Sequence, residues 1–172
     1  MKKLVILEGP DGAGKTTLAQ ELADEYRAAG RSSTIVHAGP PIAGSKEILP
    51  TMLYRALNKF KSYEVVIMDR SPMSEMIYGS VLRGEILGST GEWRVWADVQ
   101  AGKVGWYEPV EVDLLLLDAS DATLLHRAYG VRGEDYVPPE KFLDIVNSYR
   151  SLYDTVLWEQ WTRVITDADP DE

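Results

Sequence analysis

The stretch 8-EGPDGAGKTT-17 decides the fold that this sequence predicts. Gly9, Gly14, Lys15 and Thr16 satisfy the pattern G-x-x-x-x-G-K-[ST] of a phosphate-binding loop. The apolar run KLVILE before the loop predicts a buried strand, and the spacing of apolar residues after it predicts a helix. This order of strand, loop and helix is the context in which the pattern grips phosphate.

The residue types in the loop suit a nucleoside triphosphate, ATP or GTP, together with Mg²⁺. Glycines let backbone N–H groups approach phosphate oxygens, and the N-terminus of the next helix adds partial positive charge. The lysine reaches the β- and γ-phosphates, and the hydroxyl of Thr16 ligates Mg²⁺. The predicted phosphate-binding residues are Gly9, Asp11, Gly12, Ala13, Gly14, Lys15, Thr16 and Thr17.

Five predicted strands alternate with predicted helices along the chain. The strands cover 3–8, 33–38, 64–69, 112–118 and 163–166, and the helices cover 15–29, 46–60, 72–82, 121–127 and 140–161. The strands are continuously apolar, which is typical of a parallel sheet covered by helices on both faces. We therefore expect one α/β domain over 1–172 with a five-stranded parallel sheet. The last helix carries one apolar stripe, which consists of Phe142, Ile145, Val146, Tyr149, Tyr153, Val156 and Leu157.

Composition narrows the class of protein. The chain has 172 residues and no cysteine, which excludes disulfides, a thiolate nucleophile and cysteine-ligated metal centres. The N-terminal apolar run is too short for a signal peptide, and no stretch could span a bilayer, so we expect a cytoplasmic protein without a membrane partner. The formal net charge of −9 argues against nonspecific binding to nucleic acid but leaves DNA open as a substrate.

The third strand runs into 69-DRSPMSEMIYG-79. An arginine directly after the strand-end aspartate suits binding of an acceptor better than activation of water. The guanine-reading pattern N-K-x-D of GTPases is absent from the sequence. A phosphotransferase with an acceptor site is therefore favoured over a GTPase or a motor. A nucleotide-dependent regulatory module needs no acceptor site and is the weaker alternative.

At these residues the sequence resembles the thymidylate kinase branch of P-loop nucleoside monophosphate kinases. The branch carries E-G-x-D-G-x-G-K-[ST]-T at the loop, which residues 8–17 match, and Asp-Arg at the end of the third strand, which Asp69 and Arg70 match. The arginine-bearing stretch 127-RAYGVRGEDY-136 falls where the branch has its lid. The chain is also similar to small phage-encoded proteins of this type, which implies the host cytoplasm. The resemblance implies a P-loop kinase domain with a lid at about 127–139.

The resemblance also implies roles. Asp11 faces the deoxyribose 3′-OH of the acceptor, Arg70 holds the acceptor phosphate as a bidentate fork, and Asp69 lies near Mg²⁺ with Thr16. Arg127 and Arg132 close over ATP and neutralise charge in the transition state. The implied catalytic residues are Lys15, Asp69, Arg70, Arg127 and Arg132.

Further acceptor contacts are predicted from position. His37 ends the second strand at the edge of the sheet where ligands bind. Glu75, Tyr78 and Arg83 share one face of the helix after Arg70. The Trp-rich segment at about 84–110 forms an insertion on the acceptor side, where its tryptophans either stack on a base or pack a small subdomain.

The acceptor itself stays open at this point. The branch carries an Arg-Glu-Pro-Gly-like stretch after the second strand, whereas this chain has 37-HAGPP-41. We expect a deoxynucleoside monophosphate, dTMP or a related pyrimidine nucleotide. The alternative is a hydroxyl acceptor, either a deoxynucleoside or a hydroxymethyl pyrimidine in DNA, which needs a carboxylate to take its proton.

Two structural expectations complete the prediction. The branch often forms homodimers through helices near the third strand, and Met73, Met76 and Ile77 either supply such a face or pack in the core. Asp118 ends the fourth strand and is expected to cap the helix that begins at 121.

Overall fold

Five parallel strands form one sheet. The computed structural model describes residues 1–37, 48–84, 98–99, 110–131, 137–157 and 159–167. The strands are β1 (Lys3–Glu8), β2 (Ser33–His37), β3 (Val65–Asp69), β4 (Glu111–Asp118) and β5 (Thr162–Ile165). Their spatial order is β2-β3-β1-β4-β5, and every neighbouring pair is parallel. The predicted five-stranded parallel sheet is confirmed.

Helices connect the strands in the predicted order. They are α1 (Lys15–Ala28), α2 (Ile48–Lys59), α3 (Pro72–Arg83), α4 (Asp121–Leu125) and α5 (Pro139–Leu152). The connection from β1 to β2 moves two places along the sheet, and the connection from β2 to β3 moves one place back. Right-handed crossovers in opposite directions put α1 and α2 on opposite faces. Helix α3 contacts both α2 and α5, and these three helices cover the second face.

The central strands are buried as their apolar sequences predict. All five residues of β3 and the last five of β1 are buried. Ala19 and Ala23 of helix α1 are small and have no exposed surface, and their size lets the helix lie close to the sheet. The larger Leu18 and Leu22 are partly buried around them. The carboxyl ends of β1, β3 and β4 meet at one edge, where the phosphate loop begins.

The last long helix differs from the prediction. The α-helix ends at Leu152, and a π-helical turn follows over Tyr153–Leu157. Because a π-helical turn bonds i to i+5, it shifts the apolar stripe relative to a regular helix. Val156 is 64% exposed in consequence, while Leu157 keeps only 8% of its surface exposed.

One other expectation is wrong, and one open alternative is decided. Ser120, not Asp118, caps α4, since the Ser120 hydroxyl accepts from the Thr123 N–H. Met73 and Ile77 are 2% and 6% exposed, so these two side chains pack in the core and do not form a dimer face. The homodimer itself stays a prediction.

Several predicted features lie outside the described residues. These are the residues of the HAGPP stretch that follow His37, nearly all of the Trp-rich segment, and the lid residues 132–136, which include Arg132. Within the part of the chain that is described, no helix has the length and apolar character needed to cross a membrane.

Candidate active site

The phosphate loop follows β1 and packs closely against β4. Gly9 has φ 141°, and a Cβ at this position would lie 2.2 Å from the carbonyl oxygen of Leu117. Gly14 has φ 84° and precedes the first residue of α1, Lys15. The loop path therefore requires glycine at Gly9 for space and at Gly14 for backbone conformation. It leaves the N-terminus of α1 facing the site where phosphate binds.

Lys15 lies buried over this loop. Its Nζ donates to the carbonyl oxygens of Gly9 and Pro10, both at 2.7 Å. Burial, together with the positive charge of Arg70, lowers the pKa of Lys15 to about 8. The negative charges of Asp11, Asp69 and Glu8 oppose this lowering of the pKa of Lys15.

Thr16, Asp69 and His37 form a chain of hydrogen bonds between α1, β3 and β2. The Thr16 hydroxyl donates to Oδ2 of Asp69 at 2.8 Å, and Nδ1 of His37 lies 2.9 Å from the same oxygen. Asp69 is 1% exposed. Its other oxygen, Oδ1, is buried and has no hydrogen-bond partner among the described residues. A buried carboxylate oxygen without a hydrogen-bond partner is able to bind a group that comes from outside the protein.

The hydroxyl of Thr16 and the carboxylate of Asp69 fit Mg²⁺, because both are oxygen donors of the kind that this cation prefers. The described residues contain no cluster of three or more His, Cys, Asp and Glu side chains able to hold a metal.

Asp11 and Arg70 lie across the loop from Lys15. A guanidinium nitrogen of Arg70 donates to Oδ1 of Asp11, and the hydroxyl of Tyr78 donates to Oδ2 at 3.1 Å. The guanidinium carbon of Arg70 is 5.1 Å from the centroid of the Tyr78 ring, within cation–π range. Burial raises the pKa of Tyr78, so its phenol stays protonated and donates at neutral pH. The guanidinium of Arg70 is thus held beside the phosphate loop by the carboxylate of Asp11, which belongs to that loop.

Helix α3 also carries the other predicted acceptor residues. Glu75 is 5% exposed and forms an ion pair with Arg83, two turns later on the helix. Of the three residues predicted on this face, the structure brings Tyr78 to Asp11 and pairs the remaining two with each other.

Arg127 contacts the outer side of the phosphate loop. It donates to the carbonyl oxygen of Gly12 at 3.2 Å and to the carbonyl oxygen of Thr166 at 2.7 Å. The Thr166 hydroxyl donates to the carbonyl oxygen of Ala13 at 2.9 Å. Sequence reasoning missed Thr166, because a single threonine after a short edge strand carries no motif.

Glu8 is a second residue that sequence reasoning missed, although it belongs to the matched loop pattern. It ends the apolar strand β1, has no exposed surface, and accepts hydrogen bonds from Ser71, Ser74 and Tyr149. A carboxylate at the end of a wholly buried strand was the signal that could have singled it out.

Known proteins resemble this chain over part of its sequence and in its fold. No protein-family model matches the chain. "Probable thymidylate kinase 1" of Saccharolobus solfataricus is 31% identical over 100 residues, a match that covers 48% of this chain and 53% of the relative. The chain therefore matches about half the length of that curated relative.

Solved structures share the fold over nearly the whole chain. The YorR protein from Bacillus subtilis, solved in complex with phosphorylated GDP, has a TM-score of 0.63 and 22% identity, with 96% of this chain and 85% of that chain covered. Deoxyadenosine kinase from M. mycoides with bound dATP has a TM-score of 0.59 and 16% identity, with 96% and 92% covered. The same enzyme with bound dCTP has a TM-score of 0.58 and 16% identity, with 98% and 93% covered.

The sheet order and the phosphate loop are those of a P-loop α/β domain, a fold that these solved structures share. Among such proteins, the chain is similar to the (deoxy)nucleotide kinases, and its resemblance to thymidylate kinases is carried by the match to the Saccharolobus solfataricus protein.

Proposed function

We propose that this protein transfers the γ-phosphoryl group of ATP to the phosphate of a deoxynucleoside monophosphate, with dTMP or a related pyrimidine nucleotide as the acceptor. One observation carries the proposal. Arg70 pairs with Asp11, which is itself a residue of the phosphate loop. This pair supports an acceptor site that shares the loop with the donor. The partial match to a probable thymidylate kinase supports the same class of acceptor.

The chemistry requires positioning more than proton transfer. The bond between the γ-phosphorus and its bridging oxygen breaks, and a bond to an oxygen of the acceptor phosphate forms, which yields ADP and a nucleoside diphosphate. The acceptor phosphate is already ionised near pH 7, so no strong base is needed. Holding the two groups in line and neutralising their charge supplies the rate enhancement.

On the donor side, Lys15 binds the β- and γ-phosphates through a side chain already aimed along the loop. Thr16 and Asp69 would hold Mg²⁺, which supplies charge neutralisation at the phosphates when bound. Arg127 is proposed to act from the lid side, and its contact with Gly12 brings it to the loop. Arg132 is proposed as a second lid arginine on the resemblance alone.

On the acceptor side, Arg70 offers two parallel donors to a phosphate, and Asp11 accepts from the 3′-OH of the sugar. Tyr78 is proposed to line the acceptor site because it bonds Asp11, and His37 because it bonds Asp69 at the same edge of the sheet. Glu75 and Arg83 are proposed to complete the wall on α3.

A hydroxyl acceptor is the second candidate, and the free oxygen of Asp69 favours it. A deoxynucleoside, or a hydroxymethyl pyrimidine within DNA, must lose a proton as its oxygen attacks the γ-phosphorus. Oδ1 of Asp69 has no partner among the described residues and is able to take that proton. The shared fold with deoxyadenosine kinase is compatible with this candidate.

A substrate panel with ATP labelled on its γ-phosphate separates the candidates. It contains all deoxynucleosides, their monophosphates, and a DNA oligomer with and without hydroxymethyl pyrimidines, each with Mg²⁺. Label on dTMP or a related monophosphate, giving the diphosphate, is expected. Label only on a nucleoside or on the modified oligomer would replace the first candidate by the second. Lys15→Ala is the inactive control, and Lys61→Ala, at an exposed lysine after α2, is its matched surface variant.

A further inference from the structure

The backbone of Arg70 adopts a conformation that side chains seldom tolerate. Its φ is 77°, and it is the one non-glycine residue with positive φ in the described part of the chain. A long side chain in the left-handed region is disfavoured, and such a conformation persists only where surrounding contacts hold it. The residue proposed to grip the acceptor phosphate is thus also the strained residue of the turn between β3 and α3.

Two consecutive residues at the end of β1 hold this turn. The N–H of Arg70 donates to the carbonyl oxygen of Leu7 at 3.0 Å. The next N–H, of Ser71, donates to Oε1 of Glu8 at 2.7 Å. The same oxygen accepts from the Ser71 hydroxyl at 2.5 Å and from the N–H of Ser74 at 3.2 Å. The Glu8 carboxylate therefore occupies the N-terminus of α3 and binds the turn on the C-terminal side of Arg70.

The second oxygen of Glu8 is also fully used. Oε2 accepts from the hydroxyl of Ser74 at 2.7 Å and from the hydroxyl of Tyr149 at 3.0 Å. With no exposed surface and both oxygens bonded, Glu8 faces neither a substrate nor a cation. Its hydrogen bonds act on the turn between β3 and α3, and its negative charge also acts on Lys15.

We propose that Glu8 is a positioning residue that holds Arg70 in its left-handed conformation and so aims the guanidinium at the acceptor phosphate. The inference rests on the proposed role of Arg70. Glu8 immediately precedes Gly9, the first glycine of the phosphate loop, so one residue fixes the arginine of the acceptor site to the loop of the donor site.

The hydrogen bonds around Glu8 make Glu8→Gln a gentle variant and Glu8→Ala a severe one. Oε1 faces two backbone N–H groups, which only donate, whereas Oε2 faces two hydroxyls, which also accept. A glutamine with its carbonyl toward Ser71 and its NH₂ toward the hydroxyls of Ser74 and Tyr149 keeps the turn bonded. Tyr149→Phe is the matched control, because it removes the bonds of the Tyr149 hydroxyl to Oε2 and to the Ser74 hydroxyl but keeps the bonds of Oε1 to the turn.

A double-mutant cycle with Arg70→Ala tests the proposal, with KM for the monophosphate and kcat as separate readouts. Glu8→Ala is expected to raise the acceptor KM about tenfold or more, as Arg70→Ala does, since Arg70→Ala removes the charge-assisted contact to the phosphate and Glu8→Ala turns the guanidinium away from it. Glu8→Gln and Tyr149→Phe are expected to change it less than about threefold. In the Arg70→Ala background, Glu8→Ala should add almost nothing to the KM.

Two kinetic results would overturn the proposal. One is a full effect of Glu8→Ala in the Arg70→Ala background, which would show that Glu8 does not act through Arg70. The other is a loss of thermal stability with an unchanged acceptor KM, which is what a purely structural carboxylate would give. If Glu8→Ala does not fold, Glu8→Asp takes its place under the same criteria, because it keeps the charge but is one methylene shorter.

Crystal structures of the ligand-free wild type and of Glu8→Ala, or of Glu8→Asp if it takes that place, provide a readout that needs no activity. The φ of Arg70 should lie in the left-handed region in the wild type and outside this region in the variant. An unchanged φ at Arg70 in the variant would overturn the proposal even if the wild type phosphorylates a monophosphate. Absence of monophosphate kinase activity in the wild type would instead count against the proposed function, while the comparison of φ still decides the role of Glu8.

Discussion

The guanidinium of Arg70 donates to Oδ1 of Asp11, although 59 positions separate the two residues in the sequence. Asp11 lies inside the phosphate loop, and Arg70 lies at the carboxyl end of β3. Strands β1 and β3 are parallel neighbours whose ends meet, with Leu7 opposite Asp69. The pair therefore forms where the donor loop and the proposed acceptor site touch.

Asp11→Asn should affect the acceptor more than the donor. The asparagine still offers one acceptor oxygen to Tyr78 or Arg70, but Arg70 loses its counter-ion. Because a hydrogen bond to a charged group contributes about 1.5–3 kcal/mol, we expect the acceptor KM to rise roughly tenfold or more. The KM for ATP should change little. Steady-state kinetics with each substrate varied in turn measures both constants.

Asp24→Asn is the matched control, since Asp24 lies on the exposed face of α1 in a surface ion pair with Arg27. Its kinetic constants should equal those of the wild type. A rise in the KM for ATP alone in Asp11→Asn would assign Asp11 to the donor site and contradict the predicted acceptor role.

Lys15→Ala should abolish most of the turnover. The variant removes a buried cation that is aimed along the loop where phosphate charge develops. Losing one such electrostatic contact costs on the order of 3 kcal/mol, which is a hundredfold or more in kcat. The measurement is the initial rate with Mg·ATP and the best acceptor of the panel. Unchanged turnover would contradict phosphoryl transfer at this loop.

The sequence predicted the sheet and the phosphate loop well because both are locally encoded. Continuous apolar runs such as β3 identify buried strands without knowledge of their neighbours. The residues 9–17 carry their own conformational requirements, as the left-handed backbone of Gly14 illustrates. These features depend on a few adjacent residues, so a single sequence suffices to predict them.

The contacts between distant segments were harder to predict. The hydrogen bonds of Glu8 join β1 to Ser71 and to Tyr149, which lies 141 positions away. The left-handed backbone of Arg70 has no signal in the letters 69-DRSP-72. Helix periodicity likewise misplaced Val156, because nothing in the local sequence announces the π-helical turn.

Asp69→Asn should raise the Mg²⁺ concentration needed for half-maximal rate. Oδ1 of Asp69 is buried without a partner among the described residues, and Oδ2 orients the hydroxyl of Thr16. Removing the charge weakens both contributions, and changes near a metal site typically cost about 10–100-fold in metal affinity. The rate measured against Mg²⁺ at fixed ATP gives this constant.

Thr16→Ser and Thr16→Val form the matched pair for the same measurement. Serine keeps the hydroxyl and should stay close to the wild type, whereas valine keeps the shape and should require more Mg²⁺. Equal Mg²⁺ dependence for the two variants would show that the Thr16 hydroxyl is not a ligand.

Asp118 links the end of β4 to α5 and β5. The carboxylate of Asp118 accepts a hydrogen bond from Nε of Arg150 at 2.9 Å and another from Arg163. Asp118 is 4% exposed. Burial alone would raise the pKa of Asp118, but the hydrogen bonds from Arg150 and Arg163 outweigh it and lower this pKa below the usual value. The folded state thus binds a proton at Asp118 less readily than the unfolded chain does.

Asp118→Asn should therefore destabilise the protein in a pH-dependent way. A lowered pKa in the folded state stabilises the fold above the usual aspartate pKa of about 3.9, and that contribution is lost as the pH falls through the folded pKa. We expect the variant to lose about 1.5–3 kcal/mol in the free energy of unfolding at pH 7, since the buried carboxylate loses its charge-assisted hydrogen bonds while Arg163 is exposed and Arg150 keeps its ion pair with Asp121. The difference from the wild type should shrink below about pH 4. Urea denaturation at pH 7, 5 and 3 measures it, with Asp144→Asn on the exposed side of α5 as the control. A difference that is the same at pH 3 and pH 7 would mean that the charge of Asp118 does not stabilise the fold.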